Sequence, residues 1–263
     1  MRIPALETLG LPPMVQRLTH VHQGLILVTG ATGTGKSTTL ASMLDHINNT
    51  SKYNIITLED PIEFIHTSNM SLIVQRQVGT HVGSFAEGLR AALREDPDVI
   101  LVGELRDAET IAMALMAAET GHLVLSTLHT TNATKTLERI IDATPAEQKA
   151  QVTNVLAQVL HGVISQTLVK TADGRGRKAM VEILVMTPAI AHMLTTGKIF
   201  QIPMQIETGR ALGMQLLDQA LLEAVQKKQI DPDDAYVRAQ NKKPLQRFVT
   251  DPHVLPKISL VGA

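Results

Sequence analysis

Gly30-Ala31-Thr32-Gly33-Thr34-Gly35-Lys36-Ser37 is a run of residue types suited to holding a polyphosphate. It fits G-x-x-x-x-G-K-[ST] at every fixed position. Glycines let the backbone wrap an anion in conformations closed to residues with a Cβ. The loop N–H groups and the N-terminus of a following helix then aim positive dipoles at the phosphates. By position, Lys36 reaches the β- and γ-phosphates, Ser37 ligates Mg²⁺ and Thr38 follows at the helix start. ATP and Mg²⁺ are therefore the expected ligand and metal. The competing reading is an ordinary glycine turn before a helix.

Hydrolysis needs more than a cradle. A carboxylate must hold Mg²⁺, another must position water, and a third group must report the γ-phosphate. Glu104 follows the apolar run Val99–Gly103, expected to form a strand beside the phosphate-loop strand. Glu59-Asp60-Pro61-Ile62-Glu63 places three carboxylates in five residues after Ile55–Leu58. Such a cluster is costly in a dry site unless a cation compensates it. His129 follows Leu123–Thr127, and His122 sits at the other end of that strand. Arg76, Arg90, Arg94, Arg106, Arg139 and Arg210 are candidates for stabilising charge in the transition state. Arg90 and Arg94 are four apart on one helix face, so one of them can face a neighbouring subunit. Each has a plainer alternative: a Glu104–Arg106 surface pair, an acidic surface turn, a structural histidine, or an arginine ion pair worth under ~1 kcal/mol.

These residues need a scaffold that ends several strands at one edge. Candidate strands are Leu25–Thr29, Asn54–Leu58, Val99–Gly103, Leu123–Thr127, Val163–Val169 and Ala179–Val185. Several are continuous apolar runs, as in parallel strands covered on both faces. Lys36 to Asn48 reads as a helix with Leu40, Met43, Leu44 and Ile47 on one face. The alternation of strand and helix predicts an α/β core with a mostly parallel sheet over residues 21–186. Ala172 to Arg177 reads as an exposed hairpin turn. After Thr187-Pro188 the pattern is helical to about residue 240, predicting a small C-terminal helical subdomain. Residues 1–20, broken by Pro4, Gly10, Pro12 and Pro13, read as a linker, and 241–263 as a flexible tail.

Composition sets bounds. A net charge of −1 gives no global attraction to nucleic acid. Aromatics make up 2% of the residues, leaving few rings for stacking bases. The chain has no Cys, which excludes disulfides and cysteine-based zinc sites. A nucleic-acid motor on this type of core is thus disfavoured, and no nucleic-acid partner is expected.

Three further segments resemble those of one family. Leu93-Arg94-Glu95-Asp96-Pro97-Asp98, running on through Val99–Gly103 to Glu104-Leu105-Arg106-Asp107, resembles the signature of the secretion/pilus motor ATPases. Ile56 to Phe64 looks like their aspartate box and Gly121 to Thr130 like their histidine box. With the phosphate loop, the set stands in the family's order from about Leu9 to about Ala239. Ala117–His122 and Leu212–Asp218 are similar to the type IV pilus retraction branch. The absence of Cys speaks against the branches that carry a four-cysteine zinc module.

The resemblance implies a RecA-like P-loop ATPase core and a homohexamer driving pilus retraction and twitching motility. It implies a bacterial protein, cytoplasmic and peripheral at the inner membrane at the pilus base. The implied partners are the membrane platform protein and a paralogous pilus motor ATPase. By motif, Lys36 and Ser37 carry over as phosphate and Mg²⁺ ligands, with Glu104 beside the metal. Glu63 and Glu104 carry over as catalytic carboxylates, with no choice between them as the residue that activates water. His122 and His129 carry over as nucleotide-sensing histidines. The family has an N-terminal domain before the linker, and this chain is expected to lack it. The branch's A-I-R-N-L-I-R-E helix reads Ala189-Ile190-Ala191-His192-Met193-Leu194-Thr195-Thr196 here, without both arginines and the final glutamate. That departure leaves open an accessory, nucleotide-gated ring subunit that does not hydrolyse ATP.

Overall fold

The structure is a computed structural model that describes residues 2–255. Its strands are β1 (Gly24–Thr29), β2 (Asn54–Glu59), β3 (Leu72–Gln77), β4 (Val99–Val102), β5 (Leu123–Leu128), β6 (Leu160–Lys170) and β7 (Arg177–Val185). The helices are α1 (Pro13–Leu18), α2 (Lys36–Thr50), α3 (Phe85–Ala92), α4 (Ala108–Glu119), α5 (Ala133–Asp142) and α6 (Lys149–Val159). They continue with α7 (Pro188–Thr195), α8 (Ile202–Thr208), α9 (Leu217–Gln226), α10 (Pro232–Arg238) and α11 (Lys243–Gln246). The strands form one sheet in the order β3-β2-β4-β5-β1-β6-β7. All neighbours are parallel except the β6–β7 hairpin. This is the expected α/β architecture.

Both faces of the sheet are covered, so β1 is buried along its whole length. Its residues alternate between two cores, as the two-residue period of a strand requires. Leu25 and Leu27 join the core that packs α3 to α6, while Ile26 and Val28 join the core under α1 and α2. Leu40, Met43, Leu44 and Ile47 of α2 are all buried in the second core, as their spacing predicts.

Several expectations need correction. The strand β4 does not lie beside β1, because β5 is inserted between them. The strand β3 was not anticipated: its Gln75, Arg76 and Gln77 are polar because it is an edge strand. Residues 1–20 are not merely a linker. Leu6, Val15 and Leu18 are buried in the second core, and Ser42 Oγ donates to the Pro4 carbonyl at 2.7 Å. The helical stretch after Thr187 divides between two cores. Ile190, Leu194, Ile202 and Ile206 of α7 and α8 complete the first, while α9 to α11 close a third over Val169 and Met180. Part of the expected tail is packed as well, with Leu245 buried and Thr250 and Asp251 N–H groups donating to Asp233. Residues 256–263 of that tail lie outside the described residues. No helix among the described residues is long and apolar enough to cross a membrane.

One buried carboxylate joins these parts. Glu182 on β7 is 4% exposed, and its Oε1 accepts the Ala133 N–H at the start of α5 at 2.8 Å. The Leu217 N–H at the start of α9 also favours the charged form of this carboxyl. Two helix N-termini thus converge on one anion, the sign their dipoles favour. Burial nevertheless dominates and pushes the Glu182 carboxyl above its usual 4.5, with the Ala133 and Leu217 N–H groups opposing the rise and the charge of Asp218 adding to it. A raised folded value means stability that is full below the unfolded value and falls as pH rises through the folded one. Glu182→Gln is therefore expected to gain on the wild type in urea denaturation as pH is raised from about 5 to about 8. Glu182→Ala, which leaves the buried Ala133 N–H without its acceptor, is expected to cost about 2 kcal/mol at neutral pH.

Candidate active site

Parallel strands point their C-terminal ends the same way, and α/β sheets bind ligands beyond those ends. Here the ends of β1, β2, β4 and β5 surround a cleft of about 530 Å³. The loop Gly30–Gly35 leaves β1 and turns into α2. Gly33 and Gly35 have φ of 79° and 87°, left-handed backbone that a side chain resists. The helices α3, α4 and α5 are capped by the side chains of Ser84, Asp107 and Asn132. Helix α2 starts from Gly35 with no side-chain cap. Its first residues line the cleft, and their N–H groups have no side-chain acceptor among the described residues, as an anion site requires.

Lys36 is buried at the floor of the cleft. Its Nζ donates to the carbonyls of Gly30 and Ala31 at 2.8 and 3.1 Å and lies 3.4 Å from His129 Nδ1. Burial lowers its pKa, while the charges of Glu104 and Glu63 oppose that shift. An ammonium can only donate, so His129 Nδ1 accepts and its Nε2 carries the proton. That nitrogen lies 3.1 Å from Glu104 Oε1. Arg106 Nε donates to Glu104 Oε2 at 2.7 Å and its Nη1 reaches Asp60 Oδ2 at 3.3 Å. The Arg106 guanidinium is pushed further up by that bond to Glu104, and it lies over the Phe85 ring at 5.9 Å. Lys36, His129, Glu104, Arg106 and Asp60 thus form one chain of polar contacts from the start of α2 across the ends of β5, β4 and β2.

The structure brings together the loop Gly30 to Gly35 (with Ala31, Thr32 and Thr34), Lys36, Ser37, Thr38, Glu63, Glu104 and His129. Glu59 reaches the rim but is committed elsewhere, since its Oε1 accepts from Thr57 Oγ1 at 2.6 Å and Gln75 Nε2 at 3.0 Å. Glu63 lines the cleft with no hydrogen-bond or ion-pair partner recorded among the described residues. His122 is not in the cleft. It contacts the Ala117 carbonyl at 2.9 Å at the start of β5, roughly 20 Å from His129 along an extended strand. The resemblance implied nucleotide sensing for both histidines, and within one chain only His129 is placed for it. Arg90 pairs with Glu109 at the surface at 2.9 Å, and Arg94 is exposed, so neither reaches this chain's cleft. Arg76 is held by both oxygens of Glu95. Among the described residues, Arg106 is the one arginine that lines the cleft. Sequence reasoning missed Phe85, whose ring lies under the Arg106 guanidinium, and Gln166, a buried amide in the apolar run of β6.

With this geometry in view, the comparisons decide the family. Residues 10–229 match the model described as type II/IV secretion system protein. The chain belongs to that family. Among this family's curated members, the twitching motility protein of Neisseria gonorrhoeae is 53% identical over 239 residues, covering 91% of this chain and 64% of that one. The type IV pilus retraction ATPase PilT of Pseudomonas aeruginosa is 52% identical over 239 residues, covering 91% of this chain and 69% of that one. A crystal structure of the pilus retraction motor PilT with bound ADP superposes with a TM-score of 0.86 at 47% identity, over 94% of this chain and 70% of that one.

The site geometry yields a contrast between residues. Lys36→Ala is expected to weaken ADP binding by about tenfold to 100-fold, the loss of a charge-assisted bond worth about 1.5–3 kcal/mol. His122→Ala is expected to change it less than about twofold, being remote from the cleft. Isothermal titration of both variants checks the pair.

Proposed function

We propose that this chain is the ATP-hydrolysing part of a ring-forming motor that powers type IV pilus retraction. The observation that carries the reading is the convergence of Lys36, Ser37, Glu63, Glu104 and His129 on one cleft. The likeness to retraction ATPases over 91% of the chain supports the coupling to pili. Because the chain spans 64% of one such relative, the activity of a whole motor is part of the proposal.

In this reading the loop N–H groups and Lys36 bind the β- and γ-phosphates. The donors present suit Mg²⁺, a hard cation that takes oxygen ligands. Ser37 would hold it, with Glu104 close by, and when bound it would neutralise charge on the transferring phosphoryl group. Glu63, a carboxylate with no protein partner among the described residues, takes the proton from the attacking water. Glu104 is held by His129 and Arg106, so His129 reads the γ-phosphate on one side and Glu104 on the other. Loss of that phosphate changes the contacts of His129 and shifts one subunit against the next. The assembly is a homohexamer acting on a membrane platform protein from the cytoplasmic side, alongside a paralogous motor.

Steady-state ATP hydrolysis against protein concentration tests the reading. Specific activity is expected to rise cooperatively with concentration. Glu63→Gln is expected to lower kcat by about 100-fold or more, the scale of a general base. Turnover that ignores both concentration and the substitution would overturn it. ATP binding without turnover at any concentration would instead favour a nucleotide-gated ring subunit.

A further inference from the structure

Gln166 on β6 is 5% exposed and lies directly behind the phosphate loop. Its Nε2 donates to the Thr34 carbonyl at 2.7 Å, and its Oε1 accepts from Thr39 Oγ1 at 2.7 Å. The Thr34 carbonyl can only accept, so the amide orientation is decided by its partners. The loop also touches this residue's backbone. A Cβ on Gly30 would run into the Gln166 carbonyl oxygen, and one on Gly35 would lie 2.9 Å from Gln166 Nε2. Two of the loop's glycines are thus required by the approach of β6 as well as by backbone conformation.

The Thr34–Gly35 peptide is trans, since the one cis bond among the described residues is Asp60-Pro61. In a trans peptide the C=O and N–H point in opposite directions. Drawing the Thr34 carbonyl back toward β6 therefore turns the Gly35 N–H away from β6, to the side on which a phosphate would sit. The second bond ties the same amide to Thr39, in the first turns of α2. We propose that Gln166 is a positioning residue that holds the phosphate loop and α2 in the anion-binding conformation. It acts through the loop and is not a ligand of the nucleotide. The same strand carries the C-terminal helices, because the Asp231 N–H donates to the Lys170 carbonyl and the Lys170 N–H to Asp234. Strand β6 is thus hydrogen-bonded to the loop through Gln166 and to the start of α10 through Lys170.

The inference rests on the cleft being a nucleotide site, and the test separates the two. ADP and adenosine are titrated into wild-type protein and Gln166→Met, which keeps length and loses both bonds. A loop held by Gln166 predicts that the preference for ADP over adenosine falls about tenfold in the variant, the loss of one hydrogen bond to an oriented donor. Thr39→Val, which removes the other anchor, is expected to lower the same ratio less, and stands in if Gln166→Met does not fold. An unchanged ratio with a lowered melting temperature would make Gln166 a packing residue and overturn the inference. Wild-type protein that binds no ADP would overturn the nucleotide site itself.

Discussion

The burial of the Lys36 ammonium is the interaction on which the site depends. A charge that is 8% exposed is costly unless it is paired and hydrogen-bonded. Here the compensation comes from the Gly30 and Ala31 carbonyls and from the charges of Glu104 and Glu63. Those partners belong to the loop after β1, the end of β4 and the turn after β2. The ammonium therefore requires the strand ends to stay in register, and the register in turn sets the shape of the cleft. Because His129 accepts from the same ammonium and approaches Glu104, a change at the phosphate end has a short route to the end of β5.

A second constraint comes from the sheet. Six strands run parallel, so their C-terminal ends collect the loop, the carboxylates and the histidine at one edge. The N-terminal ends collect residues such as His122, which is why one strand carries one histidine in the cleft and another far from it. The hairpin β6–β7 then serves two purposes. Through Gln166 it backs the loop, through Glu182 it holds the start of α5, and through Val169 and Met180 it packs under the C-terminal helices.

How much of this was legible in the sequence follows from the physics of each part. The core strands were readable because strands covered on both faces are continuous apolar runs, as in Leu25–Val28. Their order was not, because Val99–Val102 and Leu123–Leu125 are equally apolar and either would fit beside β1. The edge strand Leu72–Gln77 spends Gln75 and Gln77 on hydrogen bonds to the Ile62–His66 segment and exposes Leu72, and so lacks the signal of a buried strand. Thr187-Pro188 and Asp231-Pro232 gave true helix starts, since a cap and a first-turn proline are local features. The packing of Leu6 and Leu245 depends on distant surfaces, which proline counts do not reveal. In the site, the loop was legible because every position has a local reason. Gln166 was legible only as one amide among apolar neighbours, and the Arg106–Phe85 contact left no sequence mark.

The most direct test of the account is a crystal structure of this chain with a non-hydrolysable ATP analogue. The account predicts the triphosphate against the Gly30–Ser37 loop, with Lys36 Nζ moved from the Gly30 and Ala31 carbonyls onto phosphate oxygens. It also predicts His129 facing the γ-phosphate and His122 unmoved. A bound triphosphate with Lys36 still on the loop carbonyls, or one seated away from the ends of β1 and β5, would contradict it.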